Sequence, residues 1–397
     1  MHTPHRPSSA ANPARLILIL AITPAIGLGI CRFAYSLVLP DMRDSLGWSY
    51  STAGFMNTIN AAGYLAGALV AAATIRRCGA FNTIRIGAIA CVLSLVASAL
   101  TADFIVFSAA RLISGIGAAF AFVAGATLAS NIAQAQPQRQ AFYLSLFYIG
   151  PAIGILISGF VSPFVLEWHG PGSWWLVWGV LAAISSLMAL ALPLARIDEP
   201  VMQTGATSAP IEIKPVLAYL VGYFLFGAGY IAYMTFMIAF VRNAGGGALA
   251  QSAFWTCIGV GALTQPWVWG AVMARGSRGW VTALLTGLSG LGAAIPLLGT
   301  SPVTLAVSAL LFGNAFFAVV ASTTAFVRLN YPANAWSKGI ALMTIIFGIG
   351  QTLGPFVTGA ITDAMGSLTY ALAVSAATLG LGAIACAFQG KVAKPAR

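Results

Sequence analysis

Charge is what this chain has least of. Of its 397 residues 7% are charged, where an ordinary soluble domain carries about 25%. Acidic residues number eight and histidines three. Asp41, Asp44, Asp103, Glu167, Asp198, Glu199, Glu212 and Asp363 all fall at the ends of apolar runs or between them, as do His2, His5 and His169. That removes the intramembrane carboxylate or imidazole on which proton relays usually depend. It also leaves no cluster of acid, base and nucleophile of the kind an enzyme needs. The five cysteines (Cys31, Cys78, Cys91, Cys257 and Cys386) are odd in number and scattered, with no disulfide or zinc spacing. They read as small buried residues. There is no Gly-x4-Gly-Lys-Ser/Thr loop, so ATP does not drive this protein through that motif. Neither a cofactor nor a metal is expected, and no catalytic activity.

Hydrophobic residues make up 59% of the chain, and the mean hydropathy is +0.90. A membrane-spanning helix takes about 20 such residues. Twelve runs qualify, roughly 16–39, 50–73, 83–101, 104–131, 140–163, 173–195, 215–241, 250–273, 280–299, 302–327, 338–362 and 367–389. The expected fold is an all-α membrane protein of twelve transmembrane helices. A net charge of +11 would suggest nucleic acid in a soluble protein. Here it fits the positive-inside bias, and no nucleic-acid partner is implied. With the N-terminus in the cytoplasm, fifteen of the nineteen basic residues fall in cytoplasmic segments. Only Arg43 and Arg242 fall outside, and Arg32 and Arg111 lie within runs. One missed helix would scramble that alternation. The chain therefore reads as a multi-pass protein of a bacterial inner membrane with both termini cytoplasmic, its first helix retained rather than cleaved as a signal peptide.

One polar connector, 196–214, separates two groups of six runs. The expected divisions are a tail at 1–15, a six-helix bundle at 16–195, the linker, a second bundle at 215–389 and a tail at 390–397. The halves also repeat. Gly27-x-Gly29 is echoed by Gly227-x-Gly229, and Gly150-x3-Gly154-x4-Gly159 by Gly350-x3-Gly354-x4-Gly359, each 200 residues later. Gly115 and Gly313 keep nearly that offset. Several glycine matches in corresponding spans indicate two pseudo-symmetric six-helix repeats.

Against this background Arg32 and Arg111 stand out. A guanidinium in the middle of a span costs roughly 2.5–3.5 kcal/mol on insertion scales. Each lies seven residues from the outer end of its run, too deep to snorkel. At 1.5 Å per residue both are about 10 Å inside the boundary. Their helical neighbours are small or polar: Gly29, Tyr35 and Ser36 around Arg32, Ser108, Ser114 and Gly115 around Arg111. Such faces suit a cavity or a close helix contact better than lipid. With no acid inside any run, a bound anion is the natural counter-charge, since a guanidinium presents a planar fork to carboxylate or phosphate.

Several motifs carry a resemblance. Arg111-x3-Gly115-x-Gly117 resembles the Arg-x3-Gly-x-Gly of the major facilitator superfamily, and Gly150-Pro151-x2-Gly154 its Gly-Pro-x2-Gly motif. The loop Thr74-Ile-Arg-Arg-Cys-Gly79 keeps that superfamily's basic pair but lacks its aspartate, and Gly270-x4-Arg275-x2-Arg278 is equally degraded. Gly29-Ile-Cys-Arg-Phe-Ala-Tyr35, Leu39-Pro40-x-Met42 and Gly63-Tyr64-Leu65-Ala66-Gly67, with Gly350-Gln351-x2-Gly354-Pro355, look like the YbfB/YjiJ branch. The resemblance implies two six-helix bundles with spans one, four, seven and ten around a central cavity, and a small-solute transporter.

The expected substrate site joins Arg32 and Arg111 to Tyr35, to Asn57 and Asn60 on one face of span two, to Tyr230 and Tyr233 of the span-seven aromatic stripe, and to Gln351 of span eleven. For Arg111 a role in bonding helix backbones weighs as heavily as substrate contact. The function expected is secondary transport of a small organic anion by a monomer embedded in lipid. The alternative is a proton-coupled exporter of neutral drugs or metabolites. Trp174, Trp175 and Trp178 read as an interfacial belt.

Overall fold

A backbone in hydrocarbon must satisfy its own amides, which leaves an apolar run the helix as its usual form. The computed structural model describes residues 12–134, 139–195, 211–273 and 277–392, and there every apolar run is helical. The outer parts of the expected tails, most of the expected linker and Arg275 lie outside the described residues. In chain order the first half holds α1 (Pro13–Leu46), α2 (Tyr50–Cys78), α3 (Ala80–Leu100), α4 (Phe104–Gln134), α5 (Phe142–His169) and α6 (Trp174–Leu194). The second half holds α7 (Leu217–Asn243), α8 (Ala248–Met273), α9 (Trp280–Leu298), α10 (Pro302–Asn330), α11 (Trp336–Met365) and α12 (Leu368–Ala387). Eleven of the twelve have the length and hydropathy of a span. The other, α8, is 26 residues long but is diluted by Gln251, Gln265 and three tryptophans.

The even number of spans puts both ends of the bundle, residues 13 and 387, on one side. We call this the near side, and the loops after α1, α3, α5, α7, α9 and α11 the far side. Helix α1 runs past its expected end at 39 because Pro40 and Asp41 do not stop it. The Asp41 carboxylate accepts from the backbone N–H of Gly172 and of Trp174, 2.9 Å each, at the start of α6. A residue that reads as a terminator is thereby a helix cap for a neighbour. Gly47 (φ 66°) and Gly366 (φ 69°) close α1 and α11 in the left-handed conformation.

The two halves repeat one packing scheme. Helix α5 lies on α1 with Gly150 against the Ala21 carbonyl and Gly154 against that of Ala25, where any Cβ would collide. Helix α11 lies on α7 in the same way, Gly350 on the Phe224 carbonyl and Gly354 on that of Ala228. Helix α4 crosses α2 with Gly115 on Asn60 and Gly63 on Leu112, and α10 crosses α8 with Gly313 on Ile258 and Gly261 on Leu310. Across the halves, α2 packs on α11, α5 on α8, and α1 on α7. Gly54 meets the Pro355 carbonyl and Gly359 that of Tyr50, so α2 and α11 touch backbone to backbone toward the far side. The tryptophan belt is only partly that: Trp175 is exposed, but Trp174 and Trp178 are buried.

Candidate functional site

Pro24 has no N–H to give the Leu20 carbonyl four residues back, and the Thr23 hydroxyl takes that acceptor at 2.9 Å. From there α1 changes pitch: Ala25–Phe33 is a nine-residue π-helix. π-Helical turns are rare and concentrate at functional sites. This one carries Cys31 and Arg32, both buried at the centre of the molecule.

Arg111 braces that segment. Its Nη1 donates to the Cys31 carbonyl (2.6 Å), its Nη2 to Asn57 Oδ1 (2.9 Å) and its Nε to the Met56 carbonyl (3.4 Å). The guanidinium lies 4.7 Å from the centre of the Tyr35 ring, which stacks on Trp178 and anchors its hydroxyl to the Ala53 carbonyl. Asn60 donates to the Arg111 carbonyl and to Ser114 Oγ. Every one of these partners belongs to the first half. Arg111, Tyr35, Asn57 and Asn60 therefore come together, as a knot of α1, α2 and α4 that is 2% exposed at the arginine.

Arg32 points the other way, into the seam between the halves. Its Nη2 donates to Gln351 Oε1 at 2.6 Å and to the Tyr230 hydroxyl at 3.4 Å, and Tyr230 in turn donates to Gln351 Oε1 at 3.1 Å. The Tyr64 ring lies 5.4 Å from its guanidinium carbon. Arg32 is 3% exposed, yet its Nε has no hydrogen-bond partner, and neither has Gln351 Nε2. Among the described residues neither arginine has a carboxylate within 4.0 Å. The site thus holds one guanidinium with neutral partners and two buried donors without acceptors.

Tyr233 is not part of it. Its hydroxyl pairs with Ser308 Oγ (2.7 Å) and its ring stacks on Phe312, inside the second half. The stripe on α7 spirals, so Tyr230 faces the seam while Tyr233 faces α10. Sequence reasoning missed Thr235, which accepts from Asn57 Nδ2 at 2.7 Å, and Phe347, stacked on Tyr230. It noted Ser36, whose hydroxyl bonds the Met234 carbonyl, only as a neighbour. The 200-residue repeat of the sequence does not reach Thr235: the α5-on-α1 and α11-on-α7 contacts relate α1 to α7 by 203 residues, which pairs Arg32 with Thr235.

Toward the far side the seam is bolted. Asp44 pairs with Arg43 (2.6 Å) in its own helix and with Arg242 of α7 (3.1 Å). Asp363 of α11 accepts from the backbone N–H of Tyr50 and of Ser51, 2.8 Å each, capping α2 from the opposite half. Asn243 reaches the Tyr50 hydroxyl at 3.3 Å. Among the described residues no group of three or more His, Cys, Asp or Glu is placed to hold a metal.

The family model described as "Uncharacterised MFS-type transporter YbfB" matches residues 24–387. The chain is similar in structure to the nucleoside transporter NupG, at 16% identity over 94% of this chain and 98% of that one, with a TM-score of 0.72. It is similar also to a bacterial homolog of the human lysosomal transporter Spinster, in an inward-facing and unoccupied conformation, at 16% identity over 96% and 97% of the two chains with a TM-score of 0.70. At such identities these likenesses establish the fold. No curated protein matches in sequence.

Proposed function

Because the chain belongs to the YbfB-type family of major facilitator transporters, it is a secondary transporter moving small molecules across the membrane by alternating access, and we propose that its substrate is a small organic anion bound at Arg32. One observation carries this reading. Among the described residues a buried guanidinium stands at the seam without a carboxylate, and two donors there, its own Nε and Gln351 Nε2, have no partner. A charge desolvated without a counter-charge costs several kcal/mol. Both orphans are donors, so the ligand that satisfies them is an acceptor, and a carboxylate supplies lone pairs and the missing charge together.

Arg32 comes from one half, and Gln351 and Tyr230 from the other. An anion held between them bonds both halves and replaces the direct Arg32–Gln351 link, which lets the seam open on either side around one fixed site. Arg111 acts in this reading as a positioning residue, holding the π-helical carbonyl of Cys31 and hence the rung below Arg32. By the distribution of basic residues the far side faces outward, so the conformation described is closed to the outside. The membrane is the bacterial cytoplasmic one. With every described acid in a loop or within the last two turns of its helix, and none in the middle of a span, we assign anion exchange rather than proton symport.

The test is ligand-induced thermal stabilisation of the purified protein against carboxylates, sulfonates and phosphates, with Arg32→Gln beside it. Stabilising anions whose effect is lost in the variant support the reading. An unchanged set of ligands and affinities in Arg32→Gln removes it. The rival, a neutral substrate exported with protons, draws on the fact that Gln351 Oε1 and the Tyr230 hydroxyl already satisfy part of the guanidinium. Counterflow in proteoliposomes separates the two: exchange persists after the proton gradient is collapsed, whereas complete loss under uncoupler favours the rival.

A further inference from the structure

The walls of the seam carry a second pattern that the charge does not explain. Beside Arg32, five rings of the second half lie in nearly parallel planes. Phe347 of α11 stands 5.2 Å from Tyr223, 5.9 Å from Phe226 and 5.5 Å from Tyr230, at interplanar angles of 21°, 22° and 16°. Phe226 and Tyr230 are 5.1 Å apart at 15°, and Tyr230 and Phe316 are 6.0 Å apart at 19°. Packed aromatic side chains adopt edge-to-face and offset-stacked arrangements alike. Elsewhere in this protein both occur, for example Phe104 edge-on to Trp48 at 83° and stacked on Phe55 at 13°. Here the offset parallel form repeats through a whole group, which makes a slab with one common plane direction.

The slab and the charge share an atom. The Tyr230 ring belongs to the stack, and its hydroxyl touches both Arg32 and Gln351. The two orphan donors therefore sit at the polar edge of an aromatic layer. Tyr64 closes the group from the first half, its ring 5.4 Å from the Arg32 guanidinium carbon. Tyr64 and Phe347 are half-buried, while Tyr223, Phe226, Tyr230 and Phe316 are buried.

We infer that the substrate class is a planar aromatic monocarboxylate, with its carboxylate on Arg32 Nε and Gln351 Nε2 and its ring added to the slab beside Phe347 and Tyr64. This deepens the anion reading and rests on it. The single carboxylate follows from the count of free donors: Arg111 is engaged by three acceptors of its own half, so Arg32 alone has a guanidinium N–H left for a ligand. A second carboxylate would find no free guanidinium N–H in this dry site. A flat ring fits because it continues an existing stack, whereas a puckered or polyhydroxylated body meets apolar faces and has few partners for its hydroxyls.

The test is a matched panel on the full-length purified protein: benzoate, cyclohexanecarboxylate, benzyl alcohol and succinate, measured by calorimetry or thermal shift on wild type, Arg32→Gln and Phe347→Leu. Benzoate is expected to bind about 2- to 10-fold tighter than cyclohexanecarboxylate, the factor a parallel ring pair adds beyond burial. Phe347→Leu should weaken benzoate more than cyclohexanecarboxylate and so remove that ratio, and succinate should bind more weakly than either. Equal binding of the two monocarboxylates, both lost in Arg32→Gln, overturns the aromatic inference and leaves the anion reading standing. Benzyl alcohol matching benzoate in both wild type and Arg32→Gln overturns the anion reading, and this inference with it. Binding of none of the acids overturns this inference alone, since the anion reading is also tested with sulfonates and phosphates. The wild-type ratios decide even if Phe347→Leu does not fold.

Discussion

Two arginines one rung apart do different work because of where their hydrogens go. Arg111 spends its donors on the carbonyls of Cys31 and Met56 and on Asn57 Oδ1, all in its own half. Arg32 keeps a free Nε and leans on the neutral groups of the other half. Arg111→Ala removes the charged donors to the Cys31 and Met56 carbonyls and to Asn57 Oδ1, and charged hydrogen bonds are worth about 1.5–3 kcal/mol each. Its unfolding midpoint should fall well below that of Arg32→Ala in thermal or denaturant unfolding of the purified protein. Arg32→Ala should instead lose ligand-induced stabilisation while its ligand-free midpoint stays closer to wild type. The reverse ranking would mean that Arg32 is the brace. Arg32→Lys restores the charge without the fork, so binding should recover only in part, a split that a purely structural residue would not show. The sequence made Arg32 conspicuous because a charge in hydrocarbon is costly wherever it faces. It did not reveal the division of labour, because that depends on which neighbours the π-helical turn exposes. Nothing in Gly29-Ile-Cys-Arg32 forecasts a π-helix beyond Pro24 upstream.

Helix packing follows the same logic one level up. Glycines repeated at an offset of 200 announced two bundles, and for α5 and α11 the offset is structural: Gly150 and Gly350, Gly154 and Gly354 each meet the equivalent carbonyl of α1 or α7. The echo of Gly29 in Gly229 is not of that kind. Gly29 abuts the backbone of Gly154, whereas Gly229 meets the Leu379 side chain and the Ser375 carbonyl of α12. The packing offset is 203 for α1 and α7 and 198 for α2 and α8 and for α4 and α10, because loop lengths differ between the halves. A search at one fixed offset therefore finds the bundles and misses the partner of Arg32. The register makes a prediction. Gly154→Ala and Gly354→Ala should both be poorly folded, each placing a Cβ on a carbonyl that cannot retreat, a strain of about 1–3 kcal/mol or more. Gly29→Ala should join them, but Gly229→Ala should be milder, since the end of a leucine can rotate away. Monodispersity on size exclusion and the melting midpoint of the four variants rank them. Equal damage at Gly29 and Gly229 would return the simple offset of 200.

At the scale of the whole molecule, the far side is held by contacts of unequal strength. The Asp44–Arg242 pair is solvent-exposed, and pairs of that kind are worth about 0–1 kcal/mol. The Asp363 carboxylate is placed better: it caps two free N–H groups at the start of α2 from the other half and sits at the positive end of that helix. Substituting such a cap typically costs about 1 kcal/mol, and the dipole adds about 0.3–1 kcal/mol. Because the cap and its helix belong to different halves, this energy favours the conformation closed on the far side and is absent from one opened there. Asp363→Ala combined with Arg242→Gln should therefore shift the equilibrium toward far-side opening by about 1–2 kcal/mol, roughly 5- to 30-fold in population. Ser36, buried at the seam against the Met234 carbonyl, is a suitable reporter. In a background with the five native cysteines replaced, Ser36→Cys should react with a membrane-impermeant maleimide applied from the far side several-fold faster when the double substitution is present. A cavity of about 250 Å³ lined by Leu37, Asp41, Arg242 and Gln251 lies on this side. Because the substitutions lie away from Arg32, equilibrium binding should change by no more than the population shift, and the direction of that change tells which face the anion prefers. An unaltered labelling rate would mean that the backbone contacts of Gly54 and Gly359, rather than the charges, hold the far side shut.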